Sequence, residues 1–463
     1  MKKKLSLFSL AMLIIAAIDS IRHLPSSALF GSSLIFFFVI GAILFLFPTA
    51  LVSAQLTATY QDKGGIYHWV QLAFGDKLAM LSIWLQWINT MIWYPTILSF
   101  IAGTIAYLVD PSLATNTKYL AIMINLIFWT MTLLSLKGIH FSAKLNSICA
   151  ILGTVIPMGL LIGLGAYWVM SNKPLMISFS WKEMIPSLGN LGNFTSLTAI
   201  MSSYLGMELA GVHVADVKNP QKNFPKVLIF SALFILTTML LGSLSIAVTL
   251  KDSEINLIAG VPQVFEKYFN ELHLNYLTLP IVLAIIFGST GGIINWLTAP
   301  AKGLLHASEF GYLPKVFTKK NSADVPYMIM IMQGVIVSLC CSVVLFVNSV
   351  NTFYWFLTAL STNLYMLMYV LLFSSAIKLN GAKAFKDTFF KISKSPIGLN
   401  ITSVLGLLGC FLTILVGFFP PQELAIQSNL KYGLSMLVGI IASSCISLFF
   451  IQHKKKTDAK KKL

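Results

Sequence analysis

Long apolar runs, separated by short polar segments, follow one another along almost the whole chain. Each run has about the 20 residues that a helix needs to cross a bilayer. The pattern therefore predicts an all-α membrane protein of twelve transmembrane helices, with both ends of the chain on one side of the membrane. The runs cover residues 5–31, 33–58, 79–109, 118–136, 144–170, 191–213, 225–250, 274–300, 326–347, 351–377, 399–419 and 430–452.

The first run is interrupted by charged and helix-breaking residues, which read DSIRHLP from Asp19 to Pro25. Arg22 in this segment is the only arginine of the chain. Pro25 removes a backbone donor and disfavours helical geometry at Leu24, so we expect the helix to break there. Backbone groups freed inside a bilayer are tolerated where they line a cavity or bind a ligand.

The sixth run is interrupted in a similar way at Gly206, Met207 and Glu208. The two breaks are five helices apart, and because this number is odd, the second broken helix runs through the membrane in the opposite direction. Interrupted spans at matching places of two halves indicate a transport site between them.

This symmetry divides the chain into predicted parts. Residues 1–170 form the first repeat, helices 1 to 5, and residues 191–377 form its inverted partner, helices 6 to 10. Residues 399–452 form two peripheral helices, and residues 453–463 form a basic cytoplasmic tail.

The charges of the chain support a membrane protein and give its orientation. Only 10% of the residues are charged, compared with about 25% in a soluble domain. The net charge of +16 comes from lysines in the gaps and tails. With the N-terminus in the cytoplasm, 25 lysines fall on inner segments and six on outer loops. This bias predicts cytoplasmic termini, and the basic balance does not indicate a nucleic-acid partner.

Motifs for an enzyme, a metal or a cofactor are not found in the sequence. The five cysteines lie inside apolar runs without metal-ligand spacing. Gly288 to Gly292 is rich in glycine but lacks the lysine of a phosphate-binding loop. An intramembrane protease needs a buried catalytic pair, and Asp19 has no second aspartate beside it in a span. We therefore expect neither an enzyme nor a bound cofactor or metal.

Three strong charges lie deep in the predicted spans: Asp19, Arg22 and Glu208. A structural interpretation pairs Arg22 with one of the two carboxylates. A functional interpretation turns these groups toward a charged or zwitterionic substrate, because both charged positions coincide with the helix breaks. In the second case residues 20–24 hold a carboxylate at free N–H groups, and the Gly206 break holds an amine.

Aromatic and polar residues close to the two breaks extend this candidate site. Trp296 follows Asn295 in an apolar run and is the favoured aromatic, although each aromatic alone is as well explained by packing. His23 is either a structural histidine or a group that gates transport. The predicted substrate-binding residues are Asp19, Ser20, Ile21, Arg22, His23, Tyr204, Gly206, Met207, Glu208, Asn295, Trp296 and Tyr365, with Tyr369 as the alternative to Tyr365.

Four motifs occur in the order and at the depth of one transporter family. They read GGIYHW at 64–69, YLGME at 204–208 with NP at 219–220 and Pro225, EINLIAG at 254–260, and WLTAPAKG at 296–303. On these motifs, from about residue 10 to 450, the chain resembles the amino acid–polyamine–organocation (APC) superfamily, and within it the bacterial glutamate/GABA antiporters.

The resemblance implies a five-plus-five inverted repeat with helices 1 and 6 broken, alternating access, and exchange of amino acids or their decarboxylation products across the bacterial inner membrane. The family's Gly-x-Glu corresponds to Gly206 and Glu208, its eighth-helix tryptophan to Trp296, and its tenth-helix tyrosine to Tyr365 or Tyr369. Gly292 stands where the glutamate/GABA exchangers carry an acidic residue.

The sequence thus predicts an amino-acid transporter of the cytoplasmic membrane, with an antiporter as the favoured mechanism. Its partners are an amino acid or amine substrate, membrane lipids and, as a further candidate, protons. A proton-coupled symporter on the same fold is the first alternative. A non-transporting amino-acid sensor or assembly partner is the second.

Overall fold

A computed structural model describes residues 7–60, 65–137, 148–149, 151–187, 194–209, 220–309, 311–347, 349–381, 388, 390–422, 424 and 428–460. Several residues in its helices, among them Asn295 and Trp296, are described by their backbone alone. The described residues form helices and turns and contain no strand. The α-helices are α1 Leu7–Ile18, α2 Leu24–Ala28, α3 Leu34–Gly41, α4 Phe47–Thr59, α5 Ile66–Phe74, α6 Asp76–Val109, α7 Thr117–Leu136, α8 Ile156–Met170, α9 Trp181–Met184, α10 Ser196–Ser203, α11 Pro220–Ala247, α12 Gly260–Glu271, α13 Thr278–Glu309, α14 Tyr327–Ser342, α15 Val350–Leu379, α16 Pro396–Val416 and α17 Asn429–Lys460.

Short helical turns of other types join or extend these helices. The 3-10 turns are Ile21–His23, Gly31–Ser33, Pro111–Thr115, Asp252–Glu254, Asn275–Leu277, Lys315–Thr318 and Val343–Phe346, and the π-helical turns are Ala42–Leu46 and Ile151–Val155.

Within the described part of the chain, nine helices are long and apolar enough to cross a membrane. Each coincides with a predicted run. The other three predicted runs are 5–31 and 191–213, which are interrupted, and 274–300, whose described apolar helix covers only Asn275–Gly291. An all-α membrane protein is therefore confirmed, and the count of twelve spans stays a prediction.

The first predicted break is present, but it lies earlier than expected. α1 ends at Ile18, and Ser20 has extended backbone geometry, with φ −121° and ψ 116°. A single 3-10 turn then leads into α2 at Leu24. Pro25 is the second residue of α2, where its missing N–H removes no helical hydrogen bond. The prediction that Pro25 ends the helix is therefore wrong, because this proline starts the second half-helix.

The second predicted break lies at Gly206, as expected. α10 ends at Ser203, residues 204–206 form a turn, and one 3-10 turn follows at residues 207–209. Gly206 has φ +111°, a conformation that side chains with a β-carbon rarely adopt. Asn219 of the sequence motif lies outside the described residues, and Pro220 is the first residue of α11.

The segment with the motif at 254–260 leads into α12, which begins at the last residue of this motif, Gly260. Residues 255–259, just before α12, are not helical. There the Asn256 side chain accepts hydrogen bonds from the amides of Ile258 (2.9 Å) and Ala259 (3.0 Å), and these bonds compete with helical ones. At the start of α12, a β-carbon on Gly260 would lie only 2.9 Å from Pro25 Cβ. The beginning of α12 therefore packs directly on α2, the second half of the broken first helix.

Gly288, the first residue of the glycine-rich sequence from Gly288 to Gly292, lies at a close contact between two helical segments. A β-carbon on Gly288 would lie 2.2 Å from the Cα of Gly153, and one on Gly153 would lie 2.3 Å from the Cα of Gly288. The π-helical turn at 151–155 and α13 therefore touch backbone to backbone. Small residues allow this close approach between membrane helices.

Candidate functional site

One helix, α6, contacts residues of both broken spans. Gln86, Thr90, Trp93 and Thr96 are spaced by four, three and three residues, so they share one face of α6. Gln86 faces the second break, and Trp93 and Thr96 face the first. α6 is thus a common wall of the two breaks.

Arg22 forms the first end of this site. Its side chain is only 2% exposed. Nη1 donates to Thr96 Oγ1 at 3.0 Å, and the guanidinium carbon lies 4.9 Å from the centre of the Trp93 ring. The hydroxyl of Tyr354 in α15 donates to the backbone oxygen of Arg22 at 3.2 Å. Within the described part of the chain, Nε of Arg22 has no hydrogen-bond partner.

Glu208 forms the second end, and uncharged donors surround it. Its Oε1 accepts from the Tyr365 hydroxyl at 2.6 Å and from Gln86 Nε2 at 3.3 Å, and its Oε2 accepts from the Tyr369 hydroxyl. The amide of Gly206 donates to the same Tyr369 oxygen at 2.9 Å. Tyr369 therefore joins the carboxylate to the backbone of the helix break.

The charged groups of the two breaks do not pair with each other. No ion pair joins Arg22 to Asp19 or Glu208, all three of which the structure describes. Gln86 and Trp93, which mark the two ends on α6, are seven residues apart, or roughly 10 Å along the helix axis. The interpretation that Arg22 is neutralised by a buried carboxylate is therefore wrong for this conformation.

The two breaks nevertheless touch. A β-carbon on Gly206 would lie 3.4 Å from Cγ1 of Ile18, the last residue of α1. Arg22 and Glu208 are both 2% exposed, and Asp19 is 3% exposed. The described residues are thus closed around both breaks.

Asp19 and Tyr204 have partners outside the two charged ends. The Asp19 carboxylate contacts Thr238 in α11 at 3.0 Å, on a different helix from the partners of Arg22. The Tyr204 hydroxyl donates to the backbone oxygen of Phe38 at 3.1 Å, which ties the second break to α3.

The remaining predicted site residues lie either beside the two breaks or in α13. Ile21, His23 and Met207 are buried beside the breaks, and Ser20 is partly buried at the first. Asn295 and Trp296 lie in α13, but their side chains are outside the described residues.

Five residues that contact the two breaks were not predicted from the sequence: Gln86, Trp93, Thr96, Thr238 and Tyr354. Polar side chains at helical spacing within the run 79–109 were the signal for the first three. No such signal marked Thr238 and Tyr354. Thr238 contacts Asp19, 219 residues away in sequence, and Tyr354 contacts Arg22, 332 residues away.

The described residues contain no group of three or more His, Cys, Asp or Glu side chains placed to hold a metal ion. The groups that the structure places at the two breaks are one guanidinium group, carboxylates, hydroxyls and backbone that is not α-helical. Such groups bind and orient a charged solute.

Comparison with known proteins gives matches over nearly the full length. The family described as amino acid permease matches residues 5–442. An uncharacterized transporter (lpg1691) of Legionella pneumophila is 36% identical over 442 residues, covering 95% of each chain. A glutamate/gamma-aminobutyrate antiporter of Lactococcus lactis is 28% identical, covering 98% of this chain and 92% of its own. A probable agmatine/putrescine antiporter, AguD, of the same species is 22% identical, with 98% and 96% covered.

Proposed function

The chain belongs to the amino acid permease family, and on this premise we propose that it is an amino-acid antiporter that works by alternating access. One observation carries the proposal: the two interrupted spans touch at Ile18 and Gly206, with a buried guanidinium and a buried carboxylate on either side. Two broken helices that meet inside a membrane are a common way to build a transport site.

Arg22 is proposed to bind the carboxylate of the substrate. A buried cation is costly unless an anion and hydrogen bonds compensate it. Thr96 and Trp93 provide a hydrogen bond and an aromatic face, but neither carries a negative charge. A carboxylate bound at Arg22 supplies the missing charge and reaches Nε, which has no hydrogen-bond partner among the described residues.

The second break is proposed to receive the amine. The backbone leaves the α-helix at residues 204–206, and the Glu208 carboxylate lies beside this turn. Since Tyr365 and Tyr369 both donate to Glu208, that carboxylate is held at a fixed place and helps to set the geometry of the turn. Asn295 and Trp296 are proposed to close over the substrate from α13.

The chain is proposed to undergo alternating access through two inverted halves. Residues 1–170 and 191–377 are the proposed repeats, with the helices of residues 399–452 outside them. The lysine bias supports cytoplasmic termini in a bacterial inner membrane. Movement of one half against the other would open the breaks to each side in turn.

Counterflow in proteoliposomes tests this function. Vesicles containing the purified chain are loaded with an unlabelled amino acid or amine, and uptake of labelled glutamate, GABA, agmatine and the other amino acids is measured. We expect at least one labelled compound to enter faster when internal substrate is present. Uptake of every compound at the rate of empty vesicles would contradict the proposal.

A further inference from the structure

Asp19 is a buried acid that the proposed substrate contacts do not use. It lies between α1 and the 3-10 turn at Ile21–His23, and its side chain is 3% exposed. No ion pair connects it to a basic side chain within the described part of the chain. Arg22, three residues later, contacts α6, whereas Asp19 contacts α11. The carboxyl group is therefore separate from the cationic end of the site.

The hydrogen bonds at Thr238 limit the charge state of Asp19. Thr238 Oγ1 lies 3.0 Å from Asp19 Oδ2, 2.9 Å from the carbonyl oxygen of Phe234 and 3.2 Å from that of Ile235. A hydroxyl has one proton, and a carbonyl oxygen only accepts. A threonine inside a helix ordinarily donates to a carbonyl of the preceding turn. The contact with Asp19 is then a full hydrogen bond only if Asp19 is the donor, which requires a proton on its carboxyl group.

The contrast with Glu208 supports the same assignment. Glu208 accepts hydrogen bonds from Gln86, Tyr365 and Tyr369, so its geometry fits an ionised carboxylate. Asp19 has one contact, to a hydroxyl that already has another acceptor, and its Oδ1 has no partner among the described residues. A buried acid that has no cation beside it and shares a single hydroxyl with another acceptor is neutralised rather than left charged.

We propose that Asp19 is a proton-binding site of the transport cycle, neutral in the closed conformation and ionised when the break at Asp19 and Ser20 opens to water. This inference rests on the proposed transport function. The proton binds to the carboxylate from water on one side of the membrane and returns to water on the other side. Each cycle that uses the site therefore couples the movement of substrate to the movement of one proton.

Other titratable groups near the break are alternative sources of any pH dependence of transport. Arg22 and His23 follow on the same segment, and Tyr204 and Glu208 lie at the second break. On α11, the described side chain of Lys226 is twelve residues from Thr238, roughly 18 Å along the helix. His23 and Glu208 are therefore the necessary controls.

Infrared spectroscopy of the purified full-length chain tests the proton directly and needs no substrate. The wild-type protein is expected to show the carbonyl band of a protonated carboxyl group at neutral pH. Asp19→Asn should remove this band, while Glu208→Gln and His23→Gln should retain it. The proposal is overturned if the wild type lacks the band, or if Asp19→Asn retains it. If Asp19→Asn does not fold, Thr238→Val serves instead and should shift the band, because it removes the hydrogen-bond partner.

Counterflow then tests the coupling, with labelled glutamate and labelled GABA as probes and a pH-sensitive dye inside the vesicles. In the wild type, the exchange rate should vary with pH by up to about tenfold per pH unit, the limit for one titrating proton. Asp19→Asn should flatten this profile, and His23→Gln should keep it. Sodium-dependent transport without proton movement would overturn the inference. A wild type with the infrared band but no counterflow would contradict the antiporter function and leave the protonated Asp19 standing.

Discussion

The hydroxyl of Tyr369 donates a hydrogen bond to the carboxylate of Glu208. The same hydroxyl oxygen accepts from the amide of Gly206, so one side chain of α15 holds both the acid and the backbone of the second helix break. Tyr365, four residues earlier on the same helix face, donates to the other carboxylate oxygen at 2.6 Å. The shape of the break therefore depends on α15 as well as on its own sequence.

Tyr369→Phe is expected to slow exchange by roughly tenfold and to lower stability by about 1–3 kcal/mol, because it leaves a buried amide and a buried carboxylate oxygen without their partner. The rate is measured by counterflow, and stability by thermal unfolding in detergent. Tyr167→Phe, at a tyrosine that is 48% exposed, is the matched control and should change neither quantity. A Tyr369→Phe variant with the wild-type rate would show that this contact does not shape the site.

Gly206→Ala is expected to destabilise the break by about 1–3 kcal/mol, because φ +111° strains any residue that has a β-carbon. The added carbon would have room, since its nearest neighbour is Ile18 at 3.4 Å, so the effect should come from the backbone. Gly159→Ala in α8 is the control, because no atom of the described residues lies within 4 Å of its new β-carbon. Thermal unfolding compares the two, and equal stability of both variants would contradict the strained turn.

Gly288→Leu is expected to prevent the close contact with Gly153 and to separate α13 from the 151–155 turn. The new side chain would enter a space in which even a β-carbon lies 2.2 Å from backbone. Overpacking of this kind typically costs 1–3 kcal/mol or more. Gly163→Leu, at an open position of α8, is the control. Size-exclusion profiles and unfolding temperatures provide the measurement, and a Gly288→Leu protein as stable as Gly163→Leu would exclude the backbone contact.

An ion pair outside the spans gives a prediction with a pH dependence. Lys173 donates to Glu271, and this bond holds the pKa of the Glu271 carboxyl below its ordinary value. A carboxyl group whose pKa is lower in the folded state than in the unfolded state stabilises the fold at pH values above its unfolded-state pKa. This stabilisation is lost as the pH falls through the folded-state pKa. Lys173→Met should therefore lower the unfolding temperature slightly at neutral pH and not in acid. Lys182→Met is the comparison, and an identical pH profile for both variants would contradict the pair.

Features that depend on local composition could be predicted from the sequence alone. Hydropathy predicted each of the nine spanning helices in the described residues, because burial in lipid requires a continuous apolar run. The second break was predicted at Gly206, since glycine and a buried acid rarely coincide in a span without a reason. Pro25 misled the prediction of the first break, because a proline fits the start of a half-helix as well as the end of one.

The partners of the charged groups could not be predicted in the same way. Arg22 lies nearer in sequence to Asp19 than to Thr96, yet its guanidinium bonds to Thr96, 74 residues away. Asp19 bonds to Thr238 across 219 residues. Such contacts depend on how the helices pack, and hydropathy and spacing describe each helix only by itself.

The proposed contact between Arg22 and the substrate carboxylate is tested most directly by comparing an acid with its amide. The amino acid with the strongest counterflow signal and its primary amide are compared as inhibitors of exchange, in the wild type and in Arg22→Gln, with folding checked by thermal unfolding. If Arg22 binds the carboxylate, the wild type prefers the acid by about 2 kcal/mol or more, roughly thirtyfold, and this preference disappears in the folded variant. An Arg22→Gln protein that keeps the wild-type preference for the acid over the amide would contradict this contact.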